Sequence, residues 1–282
     1  MNLPFQIDLS RKTAVVTGAG GVLCSGFSKA LAACGARVAL LDINQAAAQK
    51  YADEITAAGG TAKAYECDVL NRASVEAAHA QIAADFGPCD ILLNGAGGNN
   101  PRATTTNEYY FEGDLDKDIA TFFNLDPKGV EFVFNLNFLG TLIPTQVFTQ
   151  DMLGRESCCI VNISSMNAYT PLTKIPAYSG AKAAISNFTQ WLAVHFSKAG
   201  IRVNAIAPGF FVTIQNEKLL FNDDGTPTPR TDKILAGTPM ERFGKPEELN
   251  GALLYLISEE AASFVTGIVI PVDGGFSAYS GV

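Results

Sequence analysis

The sequence contains few of the residues that build metal centres and disulfide frameworks. Its 282 residues include only two histidines, His79 and His195, and six cysteines, none of them in a CxxC pair. Zinc sites and disulfide scaffolds need such clusters, so we expect no metal. Both histidines fall on predicted helices and are expected to have no carboxylate or cysteine partner. The cysteines are predicted to be small buried apolar residues: Cys24, Cys34, Cys67, Cys89, Cys158 and Cys159.

Positive charge and long apolar runs are scarce as well. There are 20 lysines and arginines against 28 aspartates and glutamates, a net charge of −8, and an acidic surface repels phosphate backbones and anionic lipid headgroups. The longest run without a charged residue, 132–150, contains asparagine, threonine, proline and glutamine, too polar for a bilayer span. The first twelve residues lack the order of a signal peptide. We therefore expect a cytoplasmic protein that binds neither nucleic acid nor membranes.

Short β-branched segments alternate with alanine-rich segments along the whole chain, which predicts a parallel sheet with helices on both faces. The predicted strands are Thr13–Thr17, Arg37–Leu41, Thr61–Glu66, Asp90–Leu93, Cys159–Ile163, Ile201–Ala205 and Ile268–Val272. The predicted helices are Val22–Cys34, Gln45–Ala58, Asn71–Phe86, Val130–Leu153, Ala177–Ser197 and Pro246–Ile257. The pattern favours a single doubly wound, Rossmann-type α/β domain with a seven-stranded sheet over residues 1–282. Two long irregular segments, near 98–128 and 209–245, are expected to be active-site loops.

A glycine-rich turn follows the first predicted strand. Gly18, Gly20 and Gly21 lead into a helix, where backbone amides and the helix dipole can hold a pyrophosphate, although such turns are often purely structural. Asp42 ends the second strand, 24 residues after Gly18. A carboxylate there accepts ribose hydroxyls and repels a 2′-phosphate, which favours NAD over NADP. The alternative role of Asp42 is to cap the helix that starts near Asn44.

Small or hydrogen-bonding residues also follow the third and fourth strands. Asp68 and Val69 follow the third, and Asn94-Gly95-Ala96-Gly97 follows the fourth. Ligands of open α/β sheets bind at the carboxyl ends of the strands. The small residues would let a flat ring lie close to the backbone, although the same run is compatible with a flexible loop.

Tyr178 and Lys182 lie four residues apart at the start of a predicted helix and therefore share one face. An ammonium beside a phenol favours the phenolate, which makes tyrosine a working acid or base near neutral pH. A YxxxK pair by itself is usually a solvated helix face. The motifs elsewhere in the chain decide between these two interpretations.

Motifs along nearly the whole chain resemble those of the short-chain dehydrogenase/reductase family. They are the TG pair at Thr17, Asp68, NGAG at Asn94, Asn137 in NFLG, Ser165 in IVNISS, YSGAK at Tyr178, PGFFVT at Pro208 and VDGG at Val272. Ser165 lies 13 residues before Tyr178, which selects it over Ser164 as the counterpart of the family's catalytic serine. The resemblance implies an NAD-dependent enzyme that acts on a CH–OH group, and a homotetramer.

The family's functional residues map onto matching positions. The resemblance implies that Tyr178 exchanges a proton with the substrate oxygen while a hydride passes between substrate and nicotinamide, and that Ser165 hydrogen-bonds that oxygen. It also implies that Lys182 binds the nicotinamide ribose and lowers the pKa of Tyr178, and that Asn137 anchors a water on a proton path. The implied cofactor contacts are Gly18, Gly20, Gly21, Leu23, Asp42, Asp68, Val69, Asn94, Ala96, Gly97, Tyr178, Lys182, Pro208, Gly209 and Thr213.

The glycine turn departs from the family's TGxxxGxG pattern, because Val22 and Cys24 stand where its second and third glycines would be. A β-carbon at either position would crowd the pyrophosphate or the strand behind it. This departure leaves open a non-catalytic, dinucleotide-binding regulatory protein. The complete set of four reaction residues argues against that alternative.

Within the family, long segments are most similar to the D-mannonate oxidoreductases, which interconvert D-fructuronate and D-mannonate. The resemblance implies a small sugar-acid substrate, with another polyol or keto-sugar as the alternative. A hexuronate carboxylate needs a cation or several donors, and Arg102 and Lys174 are the candidate cations. Asn167 is a candidate donor to a substrate hydroxyl. The competing interpretation makes the two cations solvated loop residues and Asn167 a turn cap.

Overall fold

The computed structural model describes residues 7–213 and 216–281. Seven strands form one sheet in which every neighbouring pair is parallel, in the order β3-β2-β1-β4-β5-β6-β7. They are β1 (Thr13–Thr17), β2 (Arg37–Asp42), β3 (Thr61–Glu66), β4 (Ile91–Asn94), β5 (Cys159–Ile163), β6 (Arg202–Pro208) and β7 (Val269–Val272). The predicted seven-stranded, doubly wound sheet is confirmed. Its order reverses between β1 and β4, and there the ends of the strands open a crevice for a ligand.

Ten α-helices accompany the sheet within the described residues. They are α1 (Val22–Ala33), α2 (Gln45–Ala57), α3 (Arg72–Phe86), α4 (Pro127–Phe134), α5 (Gly140–Phe148), α6 (Pro176–His195), α7 (Glu217–Leu220), α8 (Pro229–Ala236), α9 (Asn250–Ile257) and α10 (Glu259–Ala262). No helix in this part of the chain is long and apolar enough to cross a membrane.

Alternate residues of the central strands point to opposite faces of the sheet and so build two apolar cores. Val16 belongs to the core that also contains side chains of α1, α2 and α9. Its neighbour Val15 belongs to the core with side chains of α3, α5 and α6. Because both faces are buried, the strands are continuous apolar runs rather than alternating ones.

The prediction of one continuous helix over Val130–Leu153 is wrong. A π-helical turn, Asn135–Leu139, separates α4 from α5, and a 3₁₀ turn, Thr149–Met152, follows α5. Pro144 lies inside α5 and has no N–H to donate to the carbonyl four residues earlier. The hydrophobic pattern does not reveal the π turn, which inserts an extra residue where Asn137 faces the site.

The two long segments between strands are present in the structure, and parts of each form short turns or short helices. The first contains 3₁₀ turns at Pro101–Ala103, Asp114–Asp116 and Phe122–Asn124, and the second contains α7 and α8. A further 3₁₀ turn, Pro246–Leu249, replaces the first part of the last predicted helix. Both long segments leave the carboxyl-terminal edge of the sheet, which is where a ligand would bind.

Candidate active site

The glycine turn is tied to the end of β4 by the last residue of β1. The Thr17 hydroxyl accepts hydrogen bonds from the amides of Gly95 at 3.1 Å and Ala96 at 3.2 Å. Gly18 has a φ of +67°, and a β-carbon there would lie 2.8 Å from the Cα of Ala96. Only glycine fits both that backbone conformation and that close approach.

The carboxylate of Asp42 reaches the glycine turn. It accepts hydrogen bonds from the amide of Gly20 and from the amide of Asn44, both at 2.9 Å. The cap of α2 is Asn44, whose side chain accepts from Ala47 at 3.2 Å. The capping role considered for Asp42 is therefore wrong. Asp42 instead lies beside the glycine turn, as a ribose-binding carboxylate would.

The side chain of Asn94 is turned into the protein and away from the crevice. Its amide donates to Thr145 Oγ1 at 3.0 Å and to Asn162 Oδ1 at 2.9 Å, and Asn162 donates in turn to Thr189 Oγ1 at 2.9 Å. This buried network links β4 and β5 to α5 and α6. The Asn94 side-chain amide is therefore engaged in the fold, while its side-chain oxygen has no partner among the described residues, so the cofactor contact at Asn94 stays a prediction. Sequence reasoning missed Asn162, Thr145 and Thr189.

Asp68 and Val69 shape the turn after β3. The Asp68 carboxylate accepts from the amide of Leu70 at 2.9 Å, and its own amide donates to Ser74 Oγ at 3.0 Å. Val69 packs where Gly140 has no side chain, since a β-carbon there would lie 3.0 Å from Val69 Cγ2. These contacts fix the floor of the crevice.

Asn137 is fully buried in the π turn and holds the loop after β4. Its amide donates to the carbonyls of Gly98 at 2.8 Å and Val133 at 2.7 Å, and its oxygen accepts from the Gly98 amide at 3.3 Å. A β-carbon on Gly97 would lie 2.6 Å from Asn137 Oδ1 and 3.2 Å from Lys182 Nζ. Gly97 therefore marks the contact between this loop and the catalytic candidates.

Lys182 and Tyr178 share one face of α6, as predicted. Lys182 Nζ lies 5.6 Å from the centre of the Tyr178 ring and donates to the carbonyl of Ile163 at 2.9 Å. Burial lowers the pKa of Lys182 to about 8. Burial also raises the pKa of Tyr178, while a hydrogen bond with Ser165 opposes that rise. In this structure burial therefore dominates the pKa of Tyr178, and a lowering of that pKa by Lys182 stays a prediction.

The two serines after β5 have separate roles. The Ser164 hydroxyl contacts the carbonyl of Lys182 at 3.1 Å and Ser186 Oγ at 2.7 Å, so it ties β5 to α6. Ser165 accepts from the amide of Asn167 at 3.2 Å, and it lies near enough to Tyr178 to oppose the rise in the pKa of that phenol. The geometry favours Ser165 as the residue that reaches a substrate oxygen.

The three substrate candidates lie in different surroundings. Arg102 is exposed and paired with Asp126, so its guanidinium is already neutralised. Asn167 is only 4% exposed, and its side-chain oxygen has no hydrogen-bond partner among the described residues. Lys174 is half-buried, has a φ of +73°, and accepts at its carbonyl from the amide of Thr105 at 2.9 Å. The structure therefore favours Asn167 and Lys174 over Arg102.

The segment after β6 packs against the end of β7. The amide of Gly209 donates to the carbonyl of Val272 at 2.9 Å, and a β-carbon on Gly209 would lie 2.5 Å from the Cα of Asp273. Thr213 donates its amide to Asn216 Oδ1 at 2.7 Å. Pro208 is the last residue of β6, so this segment starts at the crevice.

No group of three or more histidine, cysteine, aspartate and glutamate side chains suited to a metal occurs in the residues that the structure describes. Five cysteines are buried, and Cys34 is half-buried, which corrects the prediction for that one. His79 has a carboxylate partner after all, because its Nε2 lies 2.9 Å from Asp151 Oδ1. The partner comes from the 3₁₀ turn after α5, too far along the chain for the local pattern to reveal it.

Comparison with known proteins gives matches over the full length of the chain. A family model described as enoyl-(acyl carrier protein) reductase matches residues 21–277. An uncharacterized oxidoreductase of Haemophilus influenzae is 62% identical over 282 residues, which cover 100% of this chain and 99% of the relative. An uncharacterized oxidoreductase of Bacillus subtilis is 54% identical over 280 residues, 99% of this chain and 100% of the relative.

A solved structure is similar over the same length. It is the crystal structure of a Haemophilus influenzae protein provisionally named D-mannonate oxidoreductase, with bound NAD. The identity is 62%, the TM-score is 0.95, and the superposition covers 100% of both chains. A protein with a very similar fold has therefore been crystallised with NAD bound.

Proposed function

The chain belongs to the short-chain dehydrogenase/reductase family, and from that premise we propose that it transfers a hydride between NAD(H) and a sugar acid, interconverting D-fructuronate and D-mannonate. The observation that carries the proposal is the convergence of three residues next to the crevice: Lys182 Nζ lies 5.6 Å from the centre of the Tyr178 ring, and Ser165 is near enough to influence the pKa of Tyr178. The provisional name of the H. influenzae structure supports the choice of substrate.

The crevice fits a dinucleotide. Gly18 and Gly97 let the glycine turn, the loop after β4 and Asn137 approach one another closely at the strand ends, and the Asp42 carboxylate borders the turn. Residues 18–21 would hold the pyrophosphate through backbone amides, Asp42 would accept the adenosine ribose hydroxyls, and Lys182 would reach the second ribose. The NAD nicotinamide supplies the hydride donor or acceptor when it is bound.

Side chains of the protein transfer the proton and stabilise the charge that develops on the substrate oxygen. In the reducing direction, Tyr178 donates its phenolic proton to the carbonyl oxygen as charge develops there, and Ser165 donates a hydrogen bond to the same oxygen. The raised pKa of Tyr178 keeps the phenol protonated at neutral pH, which suits reduction. The positive charge of Lys182 stabilises the phenolate that remains.

We also propose that the protein assembles as a homotetramer. A groove of about 440 Å³ lies between α5 and α6, lined by Leu142, Leu153, Phe188 and Trp191, and Trp191 is 56% exposed. An apolar surface of this kind favours association with a second copy. Replacing Trp191 with glutamate should reduce the mass measured by light scattering, and an unchanged mass would place the contact elsewhere.

The lack of membrane-spanning helices among the described residues fits the proposed cytoplasmic location.

The direct test is the loss of NADH absorbance on addition of D-fructuronate, with NADPH in parallel. Loss with NADH alone is the expected result. Tyr178→Phe should abolish turnover while NADH still binds, since only the proton donor is removed. Retained turnover would contradict the mechanism, and turnover only with other keto-sugars or polyols would contradict the substrate.

A further inference from the structure

The two long segments meet beside the stretch that leads into the catalytic helix. Lys233 of α8 contacts both carboxylate oxygens of Glu108, at 2.9 and 3.0 Å. Three residues before Glu108, Thr105 donates its amide to the carbonyl of Lys174 at 2.9 Å. Lys174 lies four residues before Tyr178. The ion pair therefore joins the two segments on the side of the molecule that carries the reaction residues.

Three cations act on the Glu108 carboxylate. The hydrogen bond from Lys233 is the main reason that the pKa of Glu108 is below its usual range, and the charges of Lys174 and Arg230 lower it further. Lysine and arginine side chains are therefore concentrated around Glu108, in a chain whose net charge is −8. A concentration of positive charge in an acidic protein attracts an anionic ligand to that place.

The backbone at Lys174 supports a functional role. Its φ of +73° lies in the left-handed region, which is unfavourable for a residue with a β-carbon. Such strain persists where the surroundings hold it, and it is concentrated at ligand sites. Here the hydrogen bond from Thr105 holds the Lys174 carbonyl.

We propose that this junction, defined as Lys174, Arg230, Lys233 and Glu108, receives the substrate carboxylate, and that Glu108 occupies the cations until the substrate displaces it. The inference rests on the proposed sugar-acid substrate. Glu108 and a hexuronate present the same group, so one carboxylate can replace the other without leaving the cations unpaired. Arg102 is not among the cations that act on Glu108, and it pairs with Asp126 instead.

Two substitutions distinguish binding of the substrate carboxylate from an ion pair that only holds the two long segments together. Glu108→Gln removes the internal competitor and should lower the KM for D-fructuronate about threefold, whereas Lys233→Met removes a ligand for the carboxylate and should raise it about fivefold. In both variants kcat should change little. If the ion pair only holds the segments together, the two substitutions break the same contact and should shift KM in the same direction.

A matched control is the exposed pair Lys29 and Glu54, 2.6 Å apart on α1 and α2. Lys29→Met and Glu54→Gln should leave the KM for D-fructuronate unchanged, and NADH titration verifies the cofactor site of every variant. Glu108→Gln is nearly isosteric and carries the test alone if Lys233→Met does not fold. An unchanged or raised KM in Glu108→Gln would overturn the proposal. Wild-type protein that binds NADH but does not reduce D-fructuronate would overturn the proposed substrate, and this site with it.

Discussion

The thiol of Cys24 occupies the space into which a β-carbon on Gly95 would project. Cys24 is 5% exposed, and burial raises its pKa to about 12, so it is an uncharged packing group. The sulfur packs between α1 and the end of β4. Cys24 stands where the family has a glycine. Its side chain fits there because Gly95 has no side chain of its own.

The first prediction is that these two positions are energetically coupled. Gly95→Ala should destabilise the protein by about 1–3 kcal/mol and weaken NADH binding, because the new methyl group overlaps the thiol. Cys24→Gly in the same chain should restore most of both losses. Thermal unfolding and NADH fluorescence titration of the two single variants and the double variant measure the coupling. Simple addition of the two single effects would contradict it.

The second prediction concerns the burial of Lys182. Its pKa falls from 10.5 to about 8 on folding, so below pH 8 the folded protein holds a buried charge at a cost of about 1.4 kcal/mol per pKa unit. Lys182→Met should abolish turnover and yet raise the free energy of unfolding at pH 7 by about 2–3 kcal/mol, after about 1 kcal/mol is lost with the hydrogen bond to Ile163.

The same shift gives a stability that depends on pH. Between pH 8 and 10.5 the unfolded chain binds more protons at Lys182 than the folded one does, so this lysine's contribution to stability rises with pH over that range. Buried thiols such as Cys24 and Cys159 have raised pKa values and contribute a fall in stability over the same range. Denaturant unfolding from pH 7 to 10.5 should therefore give a more positive slope of stability against pH in the wild type than in Lys182→Met. Equal slopes in the two proteins would contradict the assignment.

The third prediction concerns the charge of Asp42. Its two oxygens accept separately from the amides of Gly20 and Asn44, and Asp42→Asn keeps one acceptor oxygen but removes the charge that repels a 2′-phosphate. The ratio of kcat/KM with NADH to that with NADPH should fall about tenfold. Asp42→Ala removes both functions and should also weaken NADH binding. An unchanged ratio in Asp42→Asn would place cofactor selection at another residue.

The sheet was predictable because its strands are buried on both faces and appear as apolar runs. All seven were predicted, with bounds within a few residues, and alternating helices follow from the crossover connections that parallel strands require. The break in the helix around Asn137 was not predictable, since α4, the π turn and α5 follow one another without a loop and residues 132–150 contain no charged residue to mark a boundary.

The candidate site was predictable where one side chain acts through its type and spacing, as with Tyr178 and Lys182. It was not predictable where function depends on which way a side chain turns. The sequence does not reveal that the Asn94 side-chain amide donates to Asn162 and Thr145, two partners far along the chain. The effect of burial on the pKa of Tyr178 was not predictable for a related reason, because desolvation depends on packing that no local motif records.

The last prediction concerns Asn167, whose buried side-chain oxygen has no partner among the described residues. The hydrogen bond that starts the Met166–Ala168 turn uses the Asn167 backbone amide, so the turn does not need the side chain. Asn167→Leu should therefore raise the KM for D-fructuronate about tenfold, through the loss of a substrate hydrogen bond, without lowering the melting temperature. Because an unpaired buried polar group is unfavourable, the variant should be at least as stable as the wild type. A lower melting temperature with an unchanged KM would mean that the side chain serves the fold and not the substrate.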